Sequence, residues 1–230
     1  MQSRNAASIT DAPAPWELSG RGYISLLRFP QHSAAQDQFL PDSLHGKRAG
    51  SRTAWMMFVD YEHSDVGPYH ELLFIPGSFP FEDGKRHLSI SRIFVSSMDS
   101  VVNGQRNWGI PKELAQFEVR YGEQGVDAVR VSQNGALIAE LAFKHYPLPL
   151  PFSTALIPRS LRTLGQHHEG QTFVYTPSAS GWIRPARLTH LQSNPALFPD
   201  LRGVTAPLSV KVQRFSMVFP VSAVFPLSSP

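Results

Sequence analysis

The chain has no cysteine among its 230 residues, so disulfides, zinc–thiolate sites and cysteine nucleophiles are all excluded. It also lacks long apolar runs. No window approaches the ~20 apolar residues that cross a bilayer, and residues 1–14 are polar, without the apolar centre of a secretory leader. A cytoplasmic protein with no membrane partner is expected. Charge is sparse as well: charged residues make up 17% and the formal net charge is +3. The basic residues form no stripe, and Lys47-Arg48 and Lys85-Arg86 stand alone in polar segments, so nucleic acid is not an expected partner. The chain contains no Gly-x-Ser-x-Gly elbow, phosphate loop or dinucleotide fingerprint, which removes three large enzyme classes.

What is present is a globular composition, 42% hydrophobic, with 20 prolines and 16 glycines that call for many turns and few long helices. The length suits one sizeable domain. We expect a flexible arm over 1–15, ending in Ala12-Pro13-Ala14-Pro15, and a single domain over 16–230. Alternating or continuous apolar runs predict strands at 16–29, 53–61, 69–75, 87–96, 172–175, 182–191 and 207–218. Gly20 and Gly22 flank Arg21, which fits a bulge that re-aims a side chain. Residues 97–107, free of proline, predict a short helix. Residues 117–143 predict three strand runs, the last two joined by Asn134-Gly135, a strong type I′ hairpin signal. Residues 152–164 form a possible substrate-facing segment. The fold class is therefore α+β and β-rich, with antiparallel strands in a curled sheet or closed barrel and a few short helices.

Lys112 follows Pro111 and is surrounded in sequence by Trp108, Ile110 and Leu114. An ammonium among bulky apolar groups loses hydration, which lowers its pKa and exposes a nucleophilic amine able to condense with a ketone. The same pattern has a plainer reading: Pro111 in the first turn of a helix, Lys112 and Glu113 facing water, and Leu114 anchoring the turn.

Residues 104–114 resemble the lysine loop of the acetoacetate decarboxylase family, in which a glycine precedes a Pro-Lys pair by a short spacer. Gly20-Arg21-Gly22-Tyr23 resembles that family's Arg-x-Tyr segment, and Gly67-Pro68-Tyr69-His70-Glu71 its Gly-x-Tyr-x-Glu segment. The resemblance implies a β-rich cone or barrel with an interior active site, assembled as a homo-oligomer. It implies Lys112 as the imine-forming lysine, with Arg21 and Glu71 as the other catalytic residues. Tyr69, Trp108, Ile110, Glu113 and Arg106 are the accompanying pocket candidates. The reaction implied is decarboxylation of acetoacetate or a related β-keto acid, with no cofactor and no metal.

One departure stands out. Glu113 occupies the position where the founding decarboxylases carry a second lysine. A carboxylate there favours the ammonium, leaving desolvation, with help from Arg21 or Arg106, to lower the Lys112 pKa. Imine-dependent aldol or dehydration chemistry on keto acids such as pyruvate is therefore an alternative, and a non-catalytic small-molecule-binding barrel is a third. A metal site built from Asp60, Glu62, His63, Asp65, His70 and Glu71 is less favoured. Their spacings match no defined ligand motif, and His70 and Glu71 would point to opposite faces of a strand. His167-His168-Glu169 reads as a polar turn.

Overall fold

The computed structural model describes residues 9–31 and 34–227. In chain order its strands are β1 (Trp16–Arg28), β2 (Thr53–His63), β3 (Tyr69–Ile75), β4 (Gly77–Pro80), β5 (Arg86–Ser89) and β6 (Arg92–Val95). After helix α1 (Met98–Trp108) come β7 (Lys112–Leu114), β8 (Gln116–Tyr121), β9 (Val126–Gln133), β10 (Ala136–His145) and β11 (Leu150–Ser153). The remainder is β12 (Leu164–His168), β13 (Gln171–Tyr175), β14 (Ser178–Ser193), β15 (Thr205–Phe219) and β16 (Ala223–Pro226).

Ten strands follow one another in the large sheet in the order β7-β6-β3-β2-β1-β15-β14-β10-β9-β8, with β11 paired to β14. The two edge strands, β7 and β8, are consecutive in the chain and separated only by Ala115. The sheet's ends therefore meet, and it curls into a nearly closed barrel. Most neighbours are antiparallel; β6 and β7 run parallel. A second sheet, β16-β13-β12-β5-β4, lies beside it.

Alternation along the strands builds two apolar layers. Tyr23, Phe58, Leu72, Phe74, Phe94, Val129, Leu141 and Phe143 belong to one core fed by strands from all round the barrel. Trp16, Leu18, Leu73, Ile75, Ile93, Val95, Trp108, Leu164 and Phe215 belong to a second, shared with α1 and the smaller sheet. Both faces of β3 are thus buried, with successive residues assigned to opposite layers.

The hairpin reading at Asn134-Gly135 holds: both residues have positive φ, 50° and 81°, and β9 pairs with β10 across them. The expected strand over 87–96 is two strands, β5 and β6, in different sheets, because the chain leaves one sheet and enters the other at Ile90-Ser91. The expected arm over 1–15 is described only from residue 9. There Thr10 and Ala12 accept from or donate to Asp99, Asn103 and Asn107, so this stretch lies along α1 rather than loose.

Candidate active site

Lys112 is neither in a loop nor in the first turn of a helix. It opens β7, which pairs in parallel with β6 so that Lys112 stands opposite Ile93 and Glu113 opposite Phe94. β6 pairs in turn with β3, setting Leu73 against Ile93 and Glu71 against Val95. This register puts Lys112 and Glu71 on one face of the sheet, the face covered by α1. Glu113 points to the other face.

Helix α1 begins at Ser97, whose hydroxyl accepts from the Ser100 amide, and ends at Gly109 in the left-handed conformation (φ 62°). Ser100, Gly104 and Trp108, four residues apart, form its buried stripe. Gly104 lies under the lysine stem. A Cβ built there falls 2.7 Å from Lys112 Cδ and 2.9 Å from Cε, so only glycine lets the helix approach this closely.

Lys112 is 4% exposed. Its Nζ is 2.9 Å from Glu71 Oε2, donates to Ser100 Oγ at 2.9 Å and to the Tyr69 hydroxyl at 3.4 Å. Tyr61 donates to the other Glu71 oxygen at 3.2 Å. Burial is the strongest single influence on Lys112 and pulls its pKa down. The adjacent Glu71 carboxylate and Tyr69 together outweigh burial, so the pKa stands above the ordinary lysine value. Lys112 is therefore an ammonium in this state. The expected lowering by desolvation is overturned by a carboxylate, but by Glu71, not Glu113. Burial pushes Tyr69 up to about 12 and Tyr61 well above the ordinary phenol value, so both phenols keep their protons.

The group sits in a cavity of about 360 Å³. Tyr69, Trp108 and Ile110 line it, as their proximity to Lys112 in sequence had suggested. So do Phe152, Thr154, Leu161, Arg162 and Leu164 from the segment singled out as substrate-facing. The other lining residues are almost all aliphatic or aromatic; Glu71, Lys112 and Arg162 carry the only charges among them. The cavity lies mainly against the sheet face that carries the second apolar layer, between β1, β2, β3 and α1 on one side and the loop before β12 on the other. Side chains such as Phe74 and Phe143 fill the barrel core, and Tyr23 and Phe58 of that core also reach the cavity wall.

Three candidates are placed elsewhere. Arg21 is not among the residues lining the cavity. The irregularity beside it, between Gly20 and Gly22, has its extra residue on β15, so Arg21 itself keeps the alternation of β1. It shares the barrel-core side with Tyr23, two residues on, and its guanidinium pairs with Glu62 at 2.5 Å and Asp60 at 3.5 Å and stacks over Tyr121. The glycines are required there for a different reason: a Cβ at Gly20 or Gly22 falls 2.1 or 2.3 Å from a carbonyl oxygen of β2. Glu113 pairs with Arg92 on the barrel-core face, the face of Phe94. Arg106, half exposed, pairs with Asp11 at 2.6 Å. None of the three touches Lys112.

Sequence reasoning passed over Ser100, Tyr61 and Arg162. Ser100 was readable only once α1 was fixed, four residues before Gly104. Arg162 follows a one-turn 3₁₀ helix (Arg159–Leu161) with no periodic signal. Among the described residues, no group of three or more His, Asp and Glu side chains is arranged to hold a metal ion. The acidic residues around β2 are divided: Asp60 is tied to Arg21, His70 and Tyr121, and Glu71 to Lys112. His167, expected in a turn, lies in β12 and contacts Glu82 and Ser43.

The acetoacetate decarboxylase (ADC) family profile matches residues 12–177, and the chain belongs to that family. Among solved structures, acetoacetate decarboxylase from Legionella pneumophila superposes with a TM-score of 0.69 at 16% identity, covering 97% of this chain and 92% of that one. An acetoacetate decarboxylase-like enzyme from Sphingomonas wittichii gives 0.67 at 13%, covering 96% of each. The enduracididine biosynthesis enzyme MppR, bound to the condensation product of pyruvate and imidazole 4-carboxaldehyde, gives 0.65 at 16%, covering 97% and 94%. A search of curated proteins finds no match. These likenesses show the acetoacetate decarboxylase-like fold. No helix among the described residues is long and apolar enough to cross a membrane.

Proposed function

We propose that this chain is an imine-forming lyase that decarboxylates acetoacetate or a related β-keto acid through Lys112. The observation that carries the reading is the buried Lys112–Glu71 pair, 2.9 Å apart, at the inner end of an apolar cavity.

The first step is proton transfer from Lys112 to Glu71. The resting site favours the ion pair, so this transfer is uphill, and further desolvation by the bound substrate is what eases it. The neutral amine then attacks the ketone carbon, forming the N–C bond. The carbinolamine oxygen takes the proton back from Glu71 and leaves as water, giving a protonated imine. Glu71, again a carboxylate beside a cation, stabilises that imine. The bond to the substrate carboxylate breaks, its electron pair moves into the imine, and carbon dioxide leaves. Protonation of the enamine carbon and hydrolysis release the ketone and regenerate Lys112. Tyr61 and Tyr69 keep their protons at neutral pH, so they hold Glu71 and the substrate oxygen by donation.

A second reading, aldol-type condensation or dehydration on pyruvate, is supported by the pyruvate condensation product held by MppR on the same fold. It uses the same lysine and the same Glu71 proton transfer. The experiment that separates the two is turnover with acetoacetate on one side and pyruvate plus an aldehyde on the other, wild type beside Lys112→Ala. We expect carbon dioxide release from acetoacetate above the spontaneous rate, lost in Lys112→Ala. Condensation product without carbon dioxide release would favour the second reading, and neither product would contradict both.

A further inference from the structure

Lys112 and Glu71 lie at the buried end of the cavity, each 4% exposed. Arg162 is the other charged residue on its wall. It sits on the rim: residues 155–161, just before it, are all exposed, Leu156 and Leu161 strongly so. Its Nε donates to the Ile157 carbonyl at 3.3 Å and its Nη1 to the Pro177 carbonyl at 2.7 Å. These bonds fix the plane of the guanidinium. No carboxylate pairs with it among the described residues, in contrast to Arg21, Arg48, Arg92, Arg106, Arg130 and Arg202, each of which has one. Between the two ends the wall is hydrocarbon, including Trp55, Met57, Ile90, Phe215 and Met217. A volume of about 360 Å³ falls in the range of pockets that enclose ligands of many heavy atoms.

We propose that the cavity takes a keto acid with an extended apolar body that ends in a second, retained carboxylate, its ketone at Lys112 and that carboxylate at Arg162. This rests on the reading of Lys112 as the imine-forming residue. The chemistry requires that the acid at Arg162 be the retained one. A carboxylate paired with a guanidinium is stabilised in the ground state, whereas the leaving carboxylate loses its charge as its electron pair enters the imine and is best left unpaired. The apolar wall serves the body between them, where a polar substituent would lose hydration without gaining a partner. Acetoacetate, with neither the body nor the second acid, uses only the inner end.

The test is a series of methyl ketones ending in a carboxylate, five to twelve carbons long, beside neutral methyl ketones of equal length. Adduct formation at Lys112 is trapped with borohydride in wild type, Arg162→Gln and Arg162→Lys, with the melting temperature of each recorded. Octanoate and octanol, which cannot form imines, are titrated against the same three proteins by calorimetry. We expect the carboxylated ketones to half-saturate trapping at roughly tenfold to a hundredfold lower concentration than their neutral partners, the range of a charge-assisted hydrogen bond. Arg162→Gln erases that advantage and Arg162→Lys retains part of it, and octanoate binds more tightly than octanol only while a cation stands at 162. Equal trapping of acid and neutral ketone, or an advantage that survives in Arg162→Gln, would overturn the assignment. Absence of any ketone adduct in the wild type would count against the imine reading alone. The octanoate comparison would then decide the ligand class, for or against.

Discussion

Replacing Gly104 with alanine isolates the packing that positions the reactive amine. The backbone there is ordinary right-handed helix in the interior of α1, where alanine is the better residue by about 1 kcal/mol. Against that gain, the new Cβ meets Lys112 Cδ at 2.7 Å, where ordinary contact begins at 3.4 Å. The stem must retreat by about 0.7 Å, a shift that the 2.9 Å contacts of Nζ with Glu71 and Ser100 absorb only by lengthening or breaking. A misplacement near 1 Å costs a reaction up to about a hundredfold. We therefore expect Gly104→Ala to fold, with stability within about 1 kcal/mol of wild type, or roughly 2–4 °C for a chain of this size. Its rate of borohydride-trapped adduct formation should fall by about tenfold to a hundredfold. Thermal melting and time-resolved intact-mass measurement read the two quantities. Wild-type trapping in a normally stable variant would refute the argument that α1 holds the lysine in place.

Glu71→Gln removes the strongest influence raising Lys112 and leaves burial opposed mainly by Tyr69, so the Lys112 pKa falls from its raised value. The pH dependence of trapping measures this, and an unchanged or higher value would contradict it. In the wild type, the raised pKa makes Lys112 stabilise the fold in full below the unfolded-state value near ~10.4 and lose that contribution as pH rises through the folded value. Alkaline urea titrations should show this loss in the wild type and not in Glu71→Gln. Glu113→Gln, on the far face of β7 with Arg92 as its partner, should leave trapping within about twofold, as expected of a partly exposed pair; a large loss would return Glu113 to the site. Asp127→Asn removes a buried carboxylate that accepts from Tyr23 and Lys211 at 2.6 Å each. It should destabilise the fold by about 3 kcal/mol in urea with trapping preserved. Lost trapping in a stable protein would extend the active site across the sheet.

The sequence made Lys112 and Glu71 legible for two different reasons. Segment matches identified them, and strand alternation already separated Glu71 from His70. Alternation could not say which residues of β3 faced the barrel core, because both faces of that strand are buried and its run is apolar throughout. Arg21 was carried over from a segment match, which says nothing of the face its side chain takes. Two glycines beside it signalled a bulge in β1, whereas the extra residue lies on β15 and the glycines serve the close approach of β2. Nor was β7 readable: three residues paired in parallel with a four-residue strand carry no periodicity, and Pro111 suggested a helix start. The split at Ile90-Ser91 was hidden because Leu88, Ile90 and Arg92 keep the alternation of one continuous strand. Arg162 lies beyond any local rule, since its place on the cavity wall depends on where the loop before β12 crosses the large sheet.

The central claim is that Lys112 forms the imine. Borohydride reduction in the presence of acetoacetate, followed by proteolysis and peptide mass mapping, tests it most directly. One reduced adduct is expected, on the peptide containing Lys112, with the carboxyl group already lost, and no adduct in Lys112→Ala. Labelling of other lysines with Lys112 unmodified, or equal labelling of the wild type and Lys112→Ala, would contradict it.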